Sequence, residues 1–299
     1  MLKRIIFTFL ILIPVSTLSG QSKVDSLVQL GMSYFDNGRY DRSIEVMKEA
    51  LKIEPSSPLV NYCIASGYME IKDYTKALEH LDNVMAHDVD YLMGAYIIKS
   101  SCLDYLGRTD EAIVLLKDGI KKFGGHYLLY YNLGYDYYKL GDTKEAQIAL
   151  ESAIRSYPYH PSSHYLLGVL MYEQGKMDHS LICLHYFLLL EPNGERSEIG
   201  FGIIADYLVG PAANRKDVPQ LVELSKDFVK SILEPGNIKK MAGIWSGFYA
   251  PFLNDLTRFG YADPFLYSAF RYFDPKAQIW LSENREQVNS FFDWLRKDI

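Results

Sequence analysis

The chain has 299 residues, of which 48% are hydrophobic and 14% aromatic, so it can bury a sizeable core and global disorder is excluded. The formal net charge is −6, and no run of Lys or Arg exceeds two residues. Because nucleic-acid binding needs a basic face and anionic membranes attract polybasic patches, the composition argues against both kinds of partner.

The first twenty residues are typical of a secretory signal peptide. A short basic start, MLKR, precedes an apolar run over 5–15 and a small, polar stretch, STLSG. We therefore predict a signal peptide over 1–20 and an exported mature chain, periplasmic if the protein is bacterial. The alternative is an uncleaved N-terminal anchor, although the apolar run is short for a bilayer span. No cysteine follows the run, so lipid attachment is not predicted, and no later stretch predicts a transmembrane helix in the mature chain.

Four columns of residues recur with one spacing along the next part of the chain. The small residues Gly31, Ala65, Ser100, Gly134 and Gly168 are separated by steps of 34, 35, 34 and 34. The same steps separate a second small column (Ser43, Ala77, Ala112, Ala146, Ser180), an apolar column (Met47, Leu81, Leu116, Leu150, Leu184) and a closing column (Pro55, Val89, Gly124, Pro158, Pro192). Four columns in phase over five copies indicate a repeat architecture.

Each repeat is predicted to form two helices joined by a short turn. In the fourth copy the helices are HYLLYYNLGYDYYKL and EAQIALESAIRSY, the turn is GDTK, and Pro158 ends the unit because proline lacks an N–H. Two antiparallel helices approach closely only where side chains are short, which explains the small columns, and the apolar column fills the remaining space.

These columns resemble the tetratricopeptide repeat family. The match lies in LGMSY…A…P of the first copy, LGYDY…A…A…P of the fourth and LGVLM…S…P of the fifth, whereas the second and third copies are degenerate, with Lys99 where a Leu-type residue is usual. The resemblance covers about residues 24–194, in units 24–57, 58–92, 93–126, 127–160 and 161–194. It implies an all-α, right-handed solenoid of about five helix pairs, in which the first helices line a concave groove for a protein or peptide partner.

The tyrosines of the repeats divide into two sets. Tyr130 and Tyr137 fall in packing columns, whereas Tyr131, Tyr135 and Tyr138 lie at i, i+4 and i+7 on one helical stripe, which the family pattern places in the groove. A tyrosine offers contact area at low entropic cost and a hydroxyl for hydrogen bonding. The predicted partner-binding residues are therefore Tyr62, Tyr131, Tyr135, Tyr138, Tyr165 and Tyr172. The alternatives are a stripe packed against the chain's own C-terminal region and an ordinary hydrated groove.

After Pro192 the columns fail, and residues 195–299 resemble no family. Helices are predicted at about 196–209 and 218–233, the second capped by Asp217, and a final helix at about 275–297. From Trp245 to Trp294 there are fifteen aromatic residues. Because a repeat array needs an end cap with a polar outer face, we predict a helical, aromatic-rich cap with its rings turned inward; the alternative is a partner-binding lobe.

No motif predicts a catalytic residue, a metal site or a cofactor. His160 and His164 are four apart, but zinc needs three or four ligands, so a hydrated loop pair is the interpretation. GFGIIA over 200–205 matches a dinucleotide pattern but has no preceding strand. The cysteines Cys63, Cys102 and Cys183 fall in helical patterns and are interpreted as buried thiols, with a disulfide as the alternative.

The sequence therefore predicts an exported scaffold or adaptor that binds a protein or peptide through an aromatic groove, with a role in envelope assembly or secretion. The competing interpretation is an enzyme whose activity lies in the C-terminal helices, with the repeats as a recognition arm. Contact among Asp206, Arg271 and Glu283 in a pocket would favour the enzyme. A third interpretation is a rod whose own tail fills the groove.

Overall fold

The computed structural model describes residues 23–210 and 218–298, so the predicted signal peptide over 1–20 and the predicted cap Asp217 lie outside the described residues. Within these ranges the chain is helical and contains no β-strand, which confirms the all-α prediction. None of the helices described is both long and apolar enough to cross a bilayer. The first ten helices are α1 (Lys23–Asp36), α2 (Tyr40–Ile53), α3 (Pro58–Glu70), α4 (Tyr74–Met85), α5 (Leu92–Tyr105), α6 (Thr109–Phe123), α7 (Tyr127–Lys139), α8 (Thr143–Ser156), α9 (Pro161–Glu173) and α10 (Met177–Leu190).

The chain divides into two compact units, the first ending at Asp136 and the second beginning at Tyr137. In the first unit, α1 packs on α2, α3 on α4 and α5 on α6, and contacts of α2 with α3 and of α4 with α5 join successive pairs. In the second unit, α9 packs on both α8 and α10. Within each unit, successive helix pairs therefore pack against each other, as a helical repeat requires.

The small and apolar columns meet inside each helix pair. A Cβ atom on Gly31 would lie 2.7 Å from Cε of Met47, and a Cβ atom on Gly168 would lie 2.9 Å from Cδ2 of Leu184. Both distances are too short for a carbon contact, so a larger residue at either glycine would force the facing side chain to shift. In the second repeat the corresponding residues are Ala65 of the small column and Leu81 of the apolar column, and both are fully buried.

The turns between the two helices of a repeat share one backbone conformation. Gly38, Gly107, Gly141 and Gly175 have φ between 70° and 76°, in the left-handed region that favours glycine. The equivalent residue of the second copy is Lys72, whose φ is 65°. The repeat geometry therefore imposes the left-handed conformation even where the sequence supplies a side chain that disfavours it.

The C-terminal region continues the stack and then folds back on it. Helix α11 packs against α9, α10 and α12, so α11 and α12 form a sixth helix pair. The elements of this region are α11 (Glu195–Leu208), α12 (Val218–Ile232), α13 (Pro235–Ile238), a π-helical turn (Trp245–Tyr249), α14 (Ala250–Arg258), α15 (Ala262–Ala269), α16 (Pro275–Glu283) and α17 (Arg285–Asp298). The single final helix predicted at 275–297 is wrong: the helix stops at Asn284, whose side-chain amide donates to the carbonyl of Trp280 at 2.9 Å.

The core of the second unit surrounds α10. Its residues 181–189 are all buried, which fits a helix that is apolar on every face. Helix α15 packs against it, and the ring of Phe252 lies 5.0 Å from that of Tyr186 in an edge-on contact. Rings of the C-terminal region that are almost fully buried include Tyr249, Phe265, Phe270 and Phe291. These aromatic side chains are therefore buried, and Tyr249 and Phe270 contact rings of α10 directly.

Two expectations about single side chains meet different outcomes. The interpretation of His160 and His164 as a hydrated pair is wrong, because both are buried. His164 Nδ1 accepts from the Tyr249 hydroxyl at 2.6 Å, and its Nε2 donates to the Pro158 carbonyl at 2.7 Å, so the ring joins α9 to the C-terminal region. The three cysteines are buried free thiols, not disulfide partners, and burial raises the pKa of Cys63 to about 12.

Candidate functional site

The predicted tyrosine stripe falls in both units. Tyr62, Tyr131 and Tyr135 belong to the first unit, and Tyr138, Tyr165 and Tyr172 belong to the second. All six lie on first helices of their repeats, at positions that the 34-residue period brings into register. Their exposure differs, and it decides which of them presents a surface.

Tyr62 is packed inside the first unit. It is 4% exposed, and its ring lies 5.1 Å from that of Tyr91. Its hydroxyl oxygen lies 2.6 Å from the place that a Cβ atom on Gly94 would occupy, so the phenol fills the space beside the start of α5. Burial raises the pKa of this phenol well above its ordinary value. Tyr62 is therefore a packing residue in this structure and offers no surface to a partner.

Tyr131 and Tyr135, on α7, are more accessible. Tyr131 is half-buried, and Tyr135 is 40% exposed. Neither is sealed in a core in the manner of Tyr62. Both remain predicted contact residues of the first unit.

In the second unit, the hydroxyl of Tyr138 donates to Oε1 of Glu173 at 2.7 Å. This bond links α7 to the end of α9, and Glu173 is exposed. Tyr172, next to Glu173, is 47% exposed. An exposed ring and an exposed carboxylate therefore lie side by side at the end of α9.

Tyr165 is held at the other end of α9 by two contacts. Its ring centroid lies 4.9 Å from that of Phe187, and the guanidinium of Arg196 lies 5.3 Å from its centroid. Arg196 is itself fixed, because it donates to both carboxylate oxygens of Glu191, at 3.2 and 2.6 Å, and to Ser162 Oγ at 3.1 Å. Partial burial raises the pKa of the Tyr165 phenol. Tyr165 is thus preorganised by a cation–π contact and retains part of its surface.

The stripe continues onto α11, which sequence reasoning missed. Adding 34 to Tyr165 and Val169 gives Ile199 and Ile203, and Ile199 is 47% exposed. The sequence does indicate this sixth copy at Gly202, which lies 34 residues after Gly168 and continues the first column of small residues. Tyr207, on the same helix, is 50% exposed. We name Tyr138, Tyr165, Val169, Tyr172, Ile199 and Ile203 the unit-two stripe.

The C-terminal region packs on α10 and leaves two residues of the unit-two stripe, Tyr172 and Ile199, exposed. Ser225 of α12 lies 3.0 Å from His185 Nε2, and the rings of Phe248 and Phe252 lie 5.4 and 5.0 Å from that of Tyr186; both His185 and Tyr186 belong to α10. Tyr172 and Ile199 each keep almost half of their surface. The described part of the tail therefore does not seal the stripe.

The cleft that Glu283 lines does not contain the other two residues that would mark an enzymatic site. Glu283 lines a shallow cleft of about 490 Å³ beside Tyr261 and Glu286, and neither Asp206 nor Arg271 is among its lining residues. The guanidinium of Arg271 instead donates to the backbone carbonyl of Ser268. Over the part of the chain that the structure describes, no group of three or more His, Cys, Asp or Glu residues has the geometry of a metal site.

Sequence profiles of one family match two segments of the chain. A profile described as tetratricopeptide repeat matches residues 24–57, and a second profile of the same description matches residues 131–181. These two segments are tetratricopeptide repeats. The first match corresponds to the first predicted unit, and the second spans α8 and α9.

Solved structures with tetratricopeptide-like folds resemble the chain over most of their own length. PilW, described as a widely conserved type IV pilus biogenesis factor, has a TM-score of 0.56 and 16% identity, covering 76% of this chain and 98% of that one. MamA from Desulfovibrio magneticus has a TM-score of 0.51 and 17% identity, covering 58% and 98%. A thermophilic tetratricopeptide protein of Thermus thermophilus has a TM-score of 0.50 and 22% identity, covering 59% and 95%. The likeness is one of fold.

Proposed function

We propose that the chain is an exported adaptor that binds a segment of a protein partner through the unit-two stripe. The observation that carries this proposal is the exposure of Tyr172 and Ile199, each 47%, beside a C-terminal region that packs on α10. Large apolar side chains that stay exposed on adjacent helices of a stacked array are typical of an interaction surface. The adaptor acts by binding, with no covalent step.

The chemistry of the stripe suits an extended or helical peptide with apolar anchor residues. Val169, Ile199 and Ile203 offer aliphatic contacts, and the rings of Tyr165 and Tyr172 add aromatic faces with hydroxyls at their edges. Tyr165 is already ordered by Phe187 and Arg196, so its side chain loses little entropy on binding. In the first unit, Tyr131 and Tyr135 are proposed contacts on the same grounds of residue type and exposure.

The proposed location follows from the N-terminal sequence. Residues 1–20 have the basic, apolar and small-residue order of a signal peptide, and they lie outside the described residues. In a bacterium such a leader sends the mature chain to the periplasm, and we propose a role there in envelope assembly or secretion. PilW, a protein of similar fold, is itself described as a pilus biogenesis factor.

Site-specific photocrosslinking in cells of the source organism tests the proposal. A benzoylphenylalanine residue would replace Tyr172 in one variant and Ile148 of α8 in another. The two positions are matched in exposure, at 47% and 48%, but Ile148 lies on a second helix outside the stripe. We expect a discrete crosslinked product from position 172 that Ile199→Ala weakens, and none from position 148. Equal crosslinking from both positions would contradict the proposal.

A further inference from the structure

The first unit contains a cleft of about 620 Å³ that is separate from the tyrosine stripe. Helices α4 and α6 flank it, and α5, which packs on both, forms its base. Leu78, Leu103 and Leu115 supply its apolar lining. Its volume lies within the range of roughly 300–1,000 Å³ that ligand pockets occupy in proteins.

The cleft lies where the third repeat departs from the others. At the position of Lys99 the second and fifth repeats carry Ile64 and Leu167, both fully buried. A lysine cannot bury its ammonium without a partner, so Lys99 extends to the surface and its Nζ pairs with Asp82 at 2.6 Å. Space that a leucine would fill between the helices is therefore left open.

The edge of the cleft exposes an apolar side chain. Val114 is 68% exposed, and the residues in the same position of the first and second repeats are Glu45 and Glu79. Valine at so exposed a position gains nothing from contact with water. Val114 and the leucines of the lining together form a continuous apolar surface for an aliphatic side chain.

The charge of the lining is negative. Its cations are already engaged, because Lys99 pairs with Asp82, and Arg108 donates to both oxygens of Glu111 at 2.7 and 2.6 Å. Asp110 and Asp118 therefore give the cleft a net negative charge. Complementary charge at the edge of an apolar site selects among partners by sign.

We propose that this cleft is a second docking site, which binds a protein segment presenting an aliphatic side chain next to Lys or Arg. The aliphatic group enters between α4 and α6, and the basic neighbours lie against Asp110 and Asp118. The site is formed by α4, α5 and α6, and none of its lining residues belongs to the tyrosine stripe.

Methyl NMR of the full chain, titrated with a synthetic peptide, tests the proposal. The probe is a short Gly-Ser peptide with one leucine between lysines, and the control peptides replace leucine by serine or the lysines by glutamates. We expect saturable shifts of the Leu103, Val114 and Leu115 methyl signals with a dissociation constant below about 1 mM. Each control peptide should bind at least about tenfold more weakly, because one lacks the anchor and the other reverses the charge.

The matched variants are Lys99→Leu and Asp110→Asn. Lys99→Leu restores the usual repeat residue, so it should fold with an equal or higher melting temperature while the peptide-induced shifts disappear. Asp110→Asn should keep the fold and weaken binding several-fold in low salt. Absence of saturable shifts in the wild-type cleft, unchanged binding by Lys99→Leu, or shifts confined to Val169 and Ile203 would each overturn the proposal.

Discussion

Tyr138 and Glu173 are joined by a hydrogen bond of 2.7 Å from the phenol to the carboxylate, which spans 35 residues of sequence. The pair is exposed, so solvent competes for both groups. We expect Tyr138→Phe and Glu173→Gln each to lower the free energy of unfolding by no more than about 1 kcal/mol. A double-mutant cycle by urea denaturation measures the coupling, and a value well above about 1 kcal/mol would show a bond shielded from water.

Tyr172 and Tyr165 should respond differently to truncation. Tyr172 is 47% exposed, so Tyr172→Ala should change stability by less than about 0.5 kcal/mol while weakening partner capture. Tyr165 packs on Phe187 and Arg196, so Tyr165→Ala should cost about 1–3 kcal/mol as well as affinity. Thermal denaturation measures the change in stability, and pull-down with the crosslinked partner measures the loss of affinity. A large loss of stability in Tyr172→Ala would show that its ring is part of the core.

Lys72 should be a position at which glycine stabilises the protein. Its φ of 65° is the conformation that four glycines adopt at the equivalent turns. We expect Lys72→Gly to raise the free energy of unfolding by a few tenths of a kcal/mol to about 1 kcal/mol, because relief of strain exceeds the added entropy of the unfolded chain. The reverse change, Gly107→Lys, serves as the control and should destabilise by a similar amount. A destabilised Lys72→Gly variant would mean that the lysine side chain contributes more than the strain costs.

The period of the repeats makes most of the fold predictable from the sequence. Small residues at fixed steps have one steric cause, and Gly31 against Met47 and Gly168 against Leu184 show it directly. The sixth pair is less evident in the sequence, because Gly202 alone keeps the column while its neighbours diverge. The predicted final helix is too long because an apolar seam does not reveal the stop at Asn284.

Individual side chains of the candidate site are harder to predict than the helices. Register places Tyr62 and Tyr165 in the same column, yet Tyr62 packs against Tyr91 and the start of α5, whereas Tyr165 keeps part of its surface. The difference arises from the loop before α5, which carries the one extra residue of the repeat period and brings Tyr91 onto the ring. Burial of that kind depends on tertiary neighbours that a column of equivalent residues does not identify.

The hydroxyl group of Tyr249 should contribute to the stability of the second unit. Its hydroxyl donates to the buried Nδ1 of His164, and Tyr249 itself is almost fully buried. Tyr249→Phe leaves that nitrogen without its donor, which should cost about 1–3 kcal/mol. Tyr272→Phe is the control, since Tyr272 is 56% exposed and should change stability by less than about 0.5 kcal/mol. Equal unfolding free energies for the two variants, measured in urea, would show that His164 is satisfied in another way.

Two buried histidines should make the second unit sensitive to acid. Burial lowers the pKa of His164 to about 3 and that of His185 to about 4, from an ordinary value of 6.5. As the pH falls, these histidines therefore bind protons in the unfolded chain before they do so in the folded one. Their effect on the free energy of unfolding is absent above about pH 6.5, and the protein loses stability as the pH falls from there to the folded pKa values. Each histidine should contribute a loss of about 1.4 kcal/mol per pH unit over that window.

The contribution of His185 can be isolated with a pair of variants. His185→Asn retains a donor for the Leu181 carbonyl but removes the titrating group. The slope of unfolding free energy against pH should therefore fall between pH 6.5 and 5 by the amount that one titrating proton contributes, up to about 1.4 kcal/mol per pH unit. Ser225→Ala removes the hydrogen bond to Nε2 and keeps the imidazole, so its slope should stay near that of the wild type. Urea titrations across this pH range measure both slopes. An unchanged slope in His185→Asn would show that the buried ring does not control the acid response.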